Sequence, residues 1–392
     1  MKNLWSDFEA RKYKSDLELR VYTSNLLGRS DELVLHGGGN TSVKVEVEDE
    51  DILYVKGSGW DLVSIKSEGF APVKLEALWE MARRETLSDS EMVALQKTAM
   101  TDKTAPNPSV EAILHAIIPF KFVDHTHTDA VVTISNSVNG VQLIKELYPN
   151  FLIIPYVMPG FILAHTIYKK TKEIDWSKCE GIILHNHGIF TFDDDAKRSY
   201  TKMIDAVTKA ENYLKEHAQV TLKLSHTMKH IDEKKLHHVI SKHKGYDVVL
   251  HVNRSNLAYT YASHENLASF ASRGVLTPEH IIRTKRKPVI LDGNNFEEII
   301  EEYEKWYQEY FETFASEDMI CLNPAPNYAV VKDFGIITFG KDEKEASIIN
   351  DIVEHTMLAV LRADMLGGYK SISITDSFEM EYWELEQAKL RK

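Results

Sequence analysis

Residues 181–195 read GIILHNHGIFTFDDD, two apolar runs joined by a short polar turn and followed by three acidic residues. Each run, 181–184 and 189–192, has the length and the β-branched and aromatic content of a buried strand. The acidic residues are suited to begin a helix, and apolar residues then recur with helical period to about residue 216. This stretch therefore predicts a strand, a turn, a second strand and a long helix.

The same alternation continues outward through the first half of the chain. The segment LVLHGGGN at 33–40 leads into a predicted hairpin with an acidic turn near 48–51. Helices are expected at 72–82 and 88–100, and a strand is expected at 121–135. Strands and helices in succession predict an α/β fold built in layers.

An internal similarity relates the end of the chain to residues 181–195. When Gly335 is placed on Gly188, the sequence IITF after Gly335 matches IFTF after Gly188, and a predicted helix follows in both places. In this register His187 corresponds to Phe334 and His185 to Lys332, so the second copy lacks these imidazoles. Such similarity indicates a duplication, although a generic strand-turn-helix likeness is the alternative.

Two domains are expected for a chain of 392 residues. The first, residues 1–222, would be the catalytic α/β domain. The second, residues 223–392, would be a C-terminal α/β domain and could be a degenerate repeat without metal ligands.

The composition limits the possible partners and compartments. A net charge of −13 would repel phosphate backbones and anionic lipid, so neither nucleic acid nor a membrane is expected as a partner. Cys179 and Cys321 are far apart in sequence, which favours free thiols in a reducing compartment. No window of about 18 apolar residues and no signal peptide are recognisable, so a cytoplasmic protein is predicted.

A His-x-His pair lies at each of two predicted strands. Because strand side chains alternate between faces, His125 and His127 project the same way, about 6.6 Å apart along the strand. Imidazoles suit Zn, Cu, Fe and Ni, and a catalytic zinc ion usually has three protein ligands. The second pair, His185 and His187, could supply the third. The alternative is that these are structural histidines with satisfied hydrogen bonds.

Other polar features of the first half each allow two interpretations. Glu111 precedes His125 by fourteen residues in the first turn of a predicted helix. It could be an N-terminal capping charge, or it could be a metal ligand or a general acid and base. The loops at 36–42 and 56–60 could bind an anion through backbone N–H groups, or their glycines could serve only the turns. Neither loop matches a nucleotide-binding motif.

Five motifs in this order resemble the class II aldolase and adducin family, which includes fuculose-phosphate and rhamnulose-phosphate aldolases. They are GGGNTS (37–42), KGSG (56–59), PSVE (108–111), HTH (125–127) and NHG (186–188). The resemblance covers about residues 15–220. The stretches 276–288, 334–342 and 381–390 resemble the aldolase portion of longer fused rhamnulose-1-phosphate aldolase/alcohol dehydrogenase proteins. The chain ends where their dehydrogenase domain would begin, so no NAD site is expected.

The resemblance implies an α/β/α layered fold around a central, mostly antiparallel sheet, and it assigns residues to roles. Zinc would be bound by His125, His127 and His187, and Glu111 would act as acid and base and as an auxiliary metal carboxylate. The substrate's phosphate would be held by Gly39, Asn40, Ser58, Gly59 and Ser109. The small aldolases of the family have a serine where this chain has Val110, so the pocket loses one hydroxyl group.

The function expected from the resemblance is that of a zinc-dependent aldolase. It would cleave a ketose 1-phosphate, such as rhamnulose-1-phosphate, into dihydroxyacetone phosphate and an aldehyde through a metal-stabilised enediolate. The alternatives are an epimerase or decarboxylase with the same metal site, and a non-catalytic adducin-like module. Related 4-epimerases tend to have Asp at the position of Glu111, which favours a lyase. Because small family members are tetramers, a homo-oligomer is expected.

Overall fold

The structure, a computed structural model, describes residues 1–224 and 230–390 and divides into two compact units. The first unit comprises residues 1–135 and 140–214, and the second comprises residues 136–139 and the described chain from Lys215 onward. The expected domain boundary after residue 222 stays a prediction. Within the described ranges, no helix is both long enough and apolar enough to cross a bilayer.

The first unit carries the strands and helices of the first half of the chain. Its strands are β1 (Asn40–Val47), β2 (Glu50–Lys56), β3 (Phe70–Lys74), β4 (Phe122–Thr126), β5 (Phe151–Ile154), β6 (Gly181–Leu184) and β7 (Gly188–Asp193). Its helices are α1 (Asp7–Ala10), α2 (Asp16–Leu27), α3 (Leu75–Arg83), α4 (Asp89–Ala99), α5 (Ala112–Ile117), α6 (Asp129–Ser135), α7 (Gly140–Leu147), α8 (Phe161–Thr171) and α9 (Ala196–His217), with a 3-10 turn at Ser67–Gly69.

The strands of this unit form one sheet in the order β3-β2-β1-β4-β7-β6-β5. Each neighbouring pair is antiparallel except β5 and β6, which run parallel. The mostly antiparallel sheet expected from the resemblance is therefore confirmed. Strand β4 lies at its centre, between β1 and β7.

Helices cover both faces of this sheet. Val123 of β4 packs in one apolar cluster with Leu114 of α5 and Leu163 of α8. Its neighbour Phe122 packs in another cluster, with Ala196 of α9 and Leu17 of α2. Because consecutive strand residues point to opposite faces, the two clusters lie on opposite sides of β4, and the predicted α/β/α layering is confirmed.

The strand predicted at 121–135 is wrong in its second half. Strand β4 ends at Thr126, and residues 129–135 form helix α6, which begins with a hydrogen bond of 3.0 Å from Val132 N–H to the Thr128 carbonyl oxygen. Residues 130–135 are all buried, and a short apolar run without a solvent-facing side has no period that separates a strand from a buried helix. The helix expected at 72–82 likewise begins only at Leu75, after β3.

A buried ion pair attaches β4 to the helices on one face of the sheet. The guanidinium group of Arg20 in α2 donates to the carboxylate of Asp124, and both side chains are fully buried. The hydroxyl group of Ser199 in α9 donates to the same carboxylate. Since Asp124 directly precedes His125, these contacts fix the strand segment that carries the first histidine.

Replacing Arg20 with methionine is expected to lower the free energy of unfolding by roughly 3–5 kcal/mol, because Asp124 would be left buried without its cationic partner. Urea unfolding monitored by tryptophan fluorescence would measure the change. The double variant Arg20→Met/Asp124→Asn removes both charges and should lose less stability than the single variant. A single variant as stable as the parent protein would show that the pair does not anchor β4.

The second unit contains the remaining described elements. Its strands are β8 (Val249–Asn253), β9 (Val289–Leu291), β10 (Tyr328–Val331) and β11 (Gly335–Gly340). Its helices are α10 (Glu233–Lys244), α11 (Asn256–Ala262), α12 (Leu267–Ala271), α13 (Ile281–Thr284), α14 (Phe296–Phe314), α15 (Glu343–Met365), α16 (Ile374–Glu381) and α17 (Glu384–Leu390), with a 3-10 turn at Pro278–His280. The sheet order is β8-β11-β10-β9, and β9 pairs parallel to β10 while the other pairs are antiparallel.

This sheet repeats four of the seven strands of the sheet in the first unit. Strands β10 and β11 have the bounds of β6 and β7 displaced by 147 residues, and α15 begins 147 residues after α9. The neighbours also correspond: β8 pairs with β11 as β4 pairs with β7, and β9 runs parallel to β10 as β5 runs parallel to β6. The topology of the second unit is therefore that of β4 to β7.

Side-chain and backbone details repeat as well. Thr191 donates through its hydroxyl to the carbonyl oxygen of Ser199, and Thr338 makes the same bond to Ala346. Asn186 and Asp333, at corresponding places in the two turns, both have left-handed backbone, with φ of 61° and 57°. These correspondences support the predicted degenerate repeat.

Candidate active site

The structure brings together the three histidines predicted to bind metal. Ring nitrogens of His125, His127 and His187 lie within 4.8 Å of one another. His125 is in β4, His127 follows the end of that strand, and His187 lies in the turn between β6 and β7. Because β7 pairs directly with β4, this turn is next to the end of β4. His125 and His187 are buried, and His127 is half-buried.

The ring of His125 is oriented by two neighbours. Its Nδ1 lies 3.1 Å from the carbonyl oxygen of Ile189, and its ring stacks on Phe190 with centroids 4.0 Å apart. Since a carbonyl oxygen only accepts, Nδ1 carries the hydrogen and Nε2 offers a lone pair. The Nε2 atom of His125 lies 3.0 Å from Nε2 of His127. Nitrogens bound tetrahedrally to one zinc ion would be separated by about 3.3 Å, given typical zinc–nitrogen bonds.

The turn that carries His187 packs closely on β4. The His187 N–H group donates to the Leu184 carbonyl oxygen over 3.1 Å, which closes the turn. A Cβ atom on Gly188 would lie 2.5 Å from the carbonyl oxygen of Thr126. A glycine is therefore needed at this position for His187 to approach the other two histidines.

Glu111 is the carboxylate beside these histidines. It precedes the first residue of α5 and is 6% exposed. Its Oε2 lies 3.5 Å from Nε2 of His125, and its Oε1 lies 3.9 Å from Nε2 of His187. Among the described residues, Oε1 is buried without a hydrogen-bond partner. Three imidazoles and a carboxylate oxygen that lacks a donor fit a divalent transition-metal ion.

Asn40 joins the predicted phosphate-binding residues to Glu111. Its amide nitrogen donates to Oε2 of Glu111 over 2.6 Å and to the hydroxyl oxygen of Ser109 over 3.2 Å. The Ser109 hydroxyl oxygen also accepts from the Glu111 N–H group over 3.3 Å. In this structure both amide hydrogens of Asn40 therefore face protein atoms, so Asn40 holds the carboxylate.

The two glycine-rich loops approach the same region. Gly39 has left-handed backbone, with φ of 64°, and a Cβ atom there would lie 2.7 Å from the His125 carbonyl oxygen. The second loop is joined to the segment before α5, because Ser58 N–H donates to the Asn107 carbonyl oxygen over 2.8 Å. Ser58 and Gly59 themselves are exposed. Both loops therefore adjoin the segments that carry Glu111 and His125.

Lys56 and His115 are polar residues of this region that the sequence analysis did not single out. The ammonium group of Lys56 donates to the Gly37 carbonyl oxygen over 3.3 Å and so connects the two loops. His115 is fully buried one helical turn after Glu111 and contacts Asn40. Burial lowers the pKa of His115 well below its ordinary value of 6.5. Its only sequence signal was the spacing of four residues from Glu111.

Lys44 fixes the C-terminal end of α5, opposite the end that follows Glu111. Its ammonium group donates to three carbonyl oxygens at the end of the helix, those of His115, Ile118 and Phe120, over 2.7 to 2.9 Å. A cation at the C-terminal end of a helix satisfies carbonyl groups that have no partner within the helix. Burial lowers the pKa of Lys44 to about 7. The short helix that carries His115 is therefore held at both ends.

His185 is outside the histidine cluster. Among the described residues, the three ring nitrogens close enough to share one ion are those of His125, His127 and His187. The backbone N–H group of His185 donates to the Ile154 carbonyl oxygen over 2.9 Å, which connects the turn to β5. The resemblance likewise assigns zinc to the other three histidines and not to His185.

Comparison with known proteins matches each half of the chain to a family model described as a class II aldolase domain. Residues 18–214 match the family described as "Class II Aldolase and Adducin N-terminal domain". Residues 229–390 match the one described as "Aldolase class II, second domain". The two matches together span most of the chain.

Individual proteins show the same similarity. The chain is 28% identical over 420 aligned residues to the protein called "Uncharacterized oxidoreductase YuxG" of Bacillus subtilis (strain 168), covering 100% of this chain and 60% of that protein. It therefore spans about 60% of the length of this curated relative. The solved N-terminal class II aldolase domain of a conserved protein from Thermoplasma acidophilum is 37% identical, with a TM-score of 0.50, and covers 55% of this chain and 99% of that domain.

Proposed function

Because the chain belongs to the class II aldolase and adducin family, we propose that it is a metal-dependent aldolase. It would cleave a ketose 1-phosphate or a related sugar, such as rhamnulose-1-phosphate, into dihydroxyacetone phosphate and an aldehyde. The observation that carries this proposal is the approach of three imidazole nitrogens to within 4.8 Å of one another beside the Glu111 carboxylate. Zinc suits this donor set.

Cleavage of the C3–C4 bond requires stabilisation of negative charge and the movement of one proton. A divalent cation held by His125, His127 and His187 would supply Lewis acidity for the charge that develops on the ketone fragment. As the bond breaks, the Glu111 carboxylate would accept the proton of the C4 hydroxyl group, which becomes the aldehyde carbonyl, and the bonding electron pair would stay with C3. Glu111 then delivers a proton to C3, which completes dihydroxyacetone phosphate.

The surrounding residues would position the reacting groups. Asn40 and Ser109 hold the Glu111 side chain and its backbone through the hydrogen bonds described above. The exposed Ser58 and Gly59 and the loop around Gly39 would anchor the phosphate through hydroxyl and backbone N–H groups. With Val110 in place of a serine, this anchoring relies on fewer hydroxyl groups.

Metal analysis followed by a substrate screen tests the proposal. The purified full chain should contain about one divalent cation and should release dihydroxyacetone phosphate from at least one ketose 1-phosphate, measured through its enzymatic reduction. The unphosphorylated ketoses serve as controls for the phosphate requirement. A bound metal with epimerised but uncleaved sugar, or with release of carbon dioxide from a sugar acid, would replace the aldolase by an epimerase or a decarboxylase. Absence of both metal and turnover would favour the adducin-like module.

A further inference from the structure

The direction of the Glu111 carboxylate depends on the orientation of one amide group. Oε2 of Glu111 accepts a hydrogen bond of 2.6 Å from Asn40, whereas Oε1 has no hydrogen-bond partner among the described residues. If the Asn40 amide were rotated by half a turn, its oxygen would face Oε2, and two acceptors would be in contact. The orientation of Asn40 therefore decides whether Glu111 is held beside the histidines.

His115 is the residue that contacts the other end of this amide. Its Nε2 is within hydrogen-bond distance of the Asn40 side-chain oxygen, and its Nδ1 lies 2.8 Å from the hydroxyl oxygen of Ser42. The three side chains are buried: His115 and Ser42 fully, and Asn40 with 7% exposed. In a buried network of this kind each donor needs an acceptor, because an unpaired polar group loses its hydration without compensation.

The hydrogen-bond partners of Asn40 and His115 determine which of their polar atoms carries a hydrogen. The Asn40 nitrogen donates to Glu111 and Ser109, so its oxygen must accept, and Nε2 of His115 must carry a hydrogen. In the neutral ring Nδ1 then accepts from the Ser42 hydroxyl group. Each group in this series therefore donates to the next: Ser42 to His115, His115 to Asn40, and Asn40 to Glu111.

We propose that His115 is a positioning residue that, acting through Asn40, holds the Glu111 carboxylate beside His125 and His187. The proposal rests on the proposed aldolase function and deepens it. The geometry of α5 supports it, because Glu111 immediately precedes this short helix, His115 lies one turn later, and Lys44 fixes the far end. The Phe190 ring makes a T-shaped contact with His115 and also stacks on His125, so one side chain helps to orient both rings.

The hydrogen position can be tested without any substrate. In protein labelled with ¹⁵N-histidine, the signals absent from a His115→Leu variant belong to His115. They are expected to show a neutral ring with hydrogen on Nε2 and none on Nδ1. Hydrogen on Nδ1 alone would overturn the proposal, because Nε2 would then lack the hydrogen that it donates to the Asn40 oxygen.

Kinetics of two variants test the consequence for Glu111. His115→Leu removes the donor to Asn40, whereas His115→Gln can retain an N–H group near the position of Nε2. His115→Leu is expected to lower kcat about 10–100-fold, as for other residues that orient an active-site group, with KM and metal content little changed. His115→Gln should recover most of this loss. Equal kcat in His115→Leu and the parent protein, or equal losses of activity and metal in both variants, would overturn the proposal.

The two measurements separate failure of this inference from failure of the proposed function. If the parent protein cleaves no ketose phosphate but His115 shows hydrogen only on Nε2, the aldolase proposal fails and the assigned network is supported. If the parent protein is active and His115→Leu is equally active, the aldolase proposal stands and the positioning role fails.

Discussion

Replacing His187 with alanine is expected to remove the bound cation and abolish cleavage. His187 supplies one of the three clustered imidazoles, and it belongs to a different chain segment from the other two. A site left with His125 and His127 would fall below the three protein ligands usual for catalytic zinc. Metal content after desalting, measured by mass spectrometry, and the rate of dihydroxyacetone phosphate release would report the two effects separately.

His185→Ala is the matched control for this variant. It removes an imidazole from the same turn, but this residue is outside the cluster within the described chain. The control should keep its metal, and circular dichroism should show that both variants are folded. A His187→Ala protein that retains a full equivalent of metal and its activity would contradict the proposed metal site.

Glu111→Gln is expected to keep the metal and to lower kcat about 10²–10⁴-fold, the range typical of a lost general acid or base. The amide has nearly the same shape as the carboxylate and can keep its contact with Asn40, but it cannot deliver a proton to C3. Steady-state rates on the substrate found in the screen, compared with metal content, would measure the effect.

A partial reaction isolates the proton transfer from bond cleavage. The parent protein should exchange a C3 hydrogen of dihydroxyacetone phosphate with deuterium from D₂O, and Glu111→Gln should exchange it far more slowly. Glu76→Gln, which changes an exposed carboxylate on α3, is the control and should behave as the parent protein. Undiminished exchange in Glu111→Gln would assign the proton transfer to another group.

The histidine cluster could be predicted because the patterns that point to it lie within two short stretches of sequence. His125 and His127 are two residues apart, and His187 lies in a turn between two recognisable strands. Family resemblance supplied the pairing of the two segments, and the structure places them together. The alternation of strand residues then accounts for the layers on either side of β4.

The role of His115 could not be predicted in this way. Its contacts require β1 to pair with β4, so that Asn40 lies opposite His125, and require α5 to pack against these strands. These contacts join residues 73 and 75 positions apart in the chain, and a single sequence carries no periodic signal for them. Helix α6 was missed for a different reason, because its buried apolar residues fit either a strand or a helix.

The repeated strands and helix have a consequence for the ancestry of the chain. The turn of the second copy keeps the left-handed residue and the glycine, as Asp333 and Gly335, although Phe334 stands in place of His187. The backbone of this turn therefore forms without the imidazole. Under the predicted duplication, mutations could accumulate in one descendant without unfolding it, while selection for chemistry acted on the other.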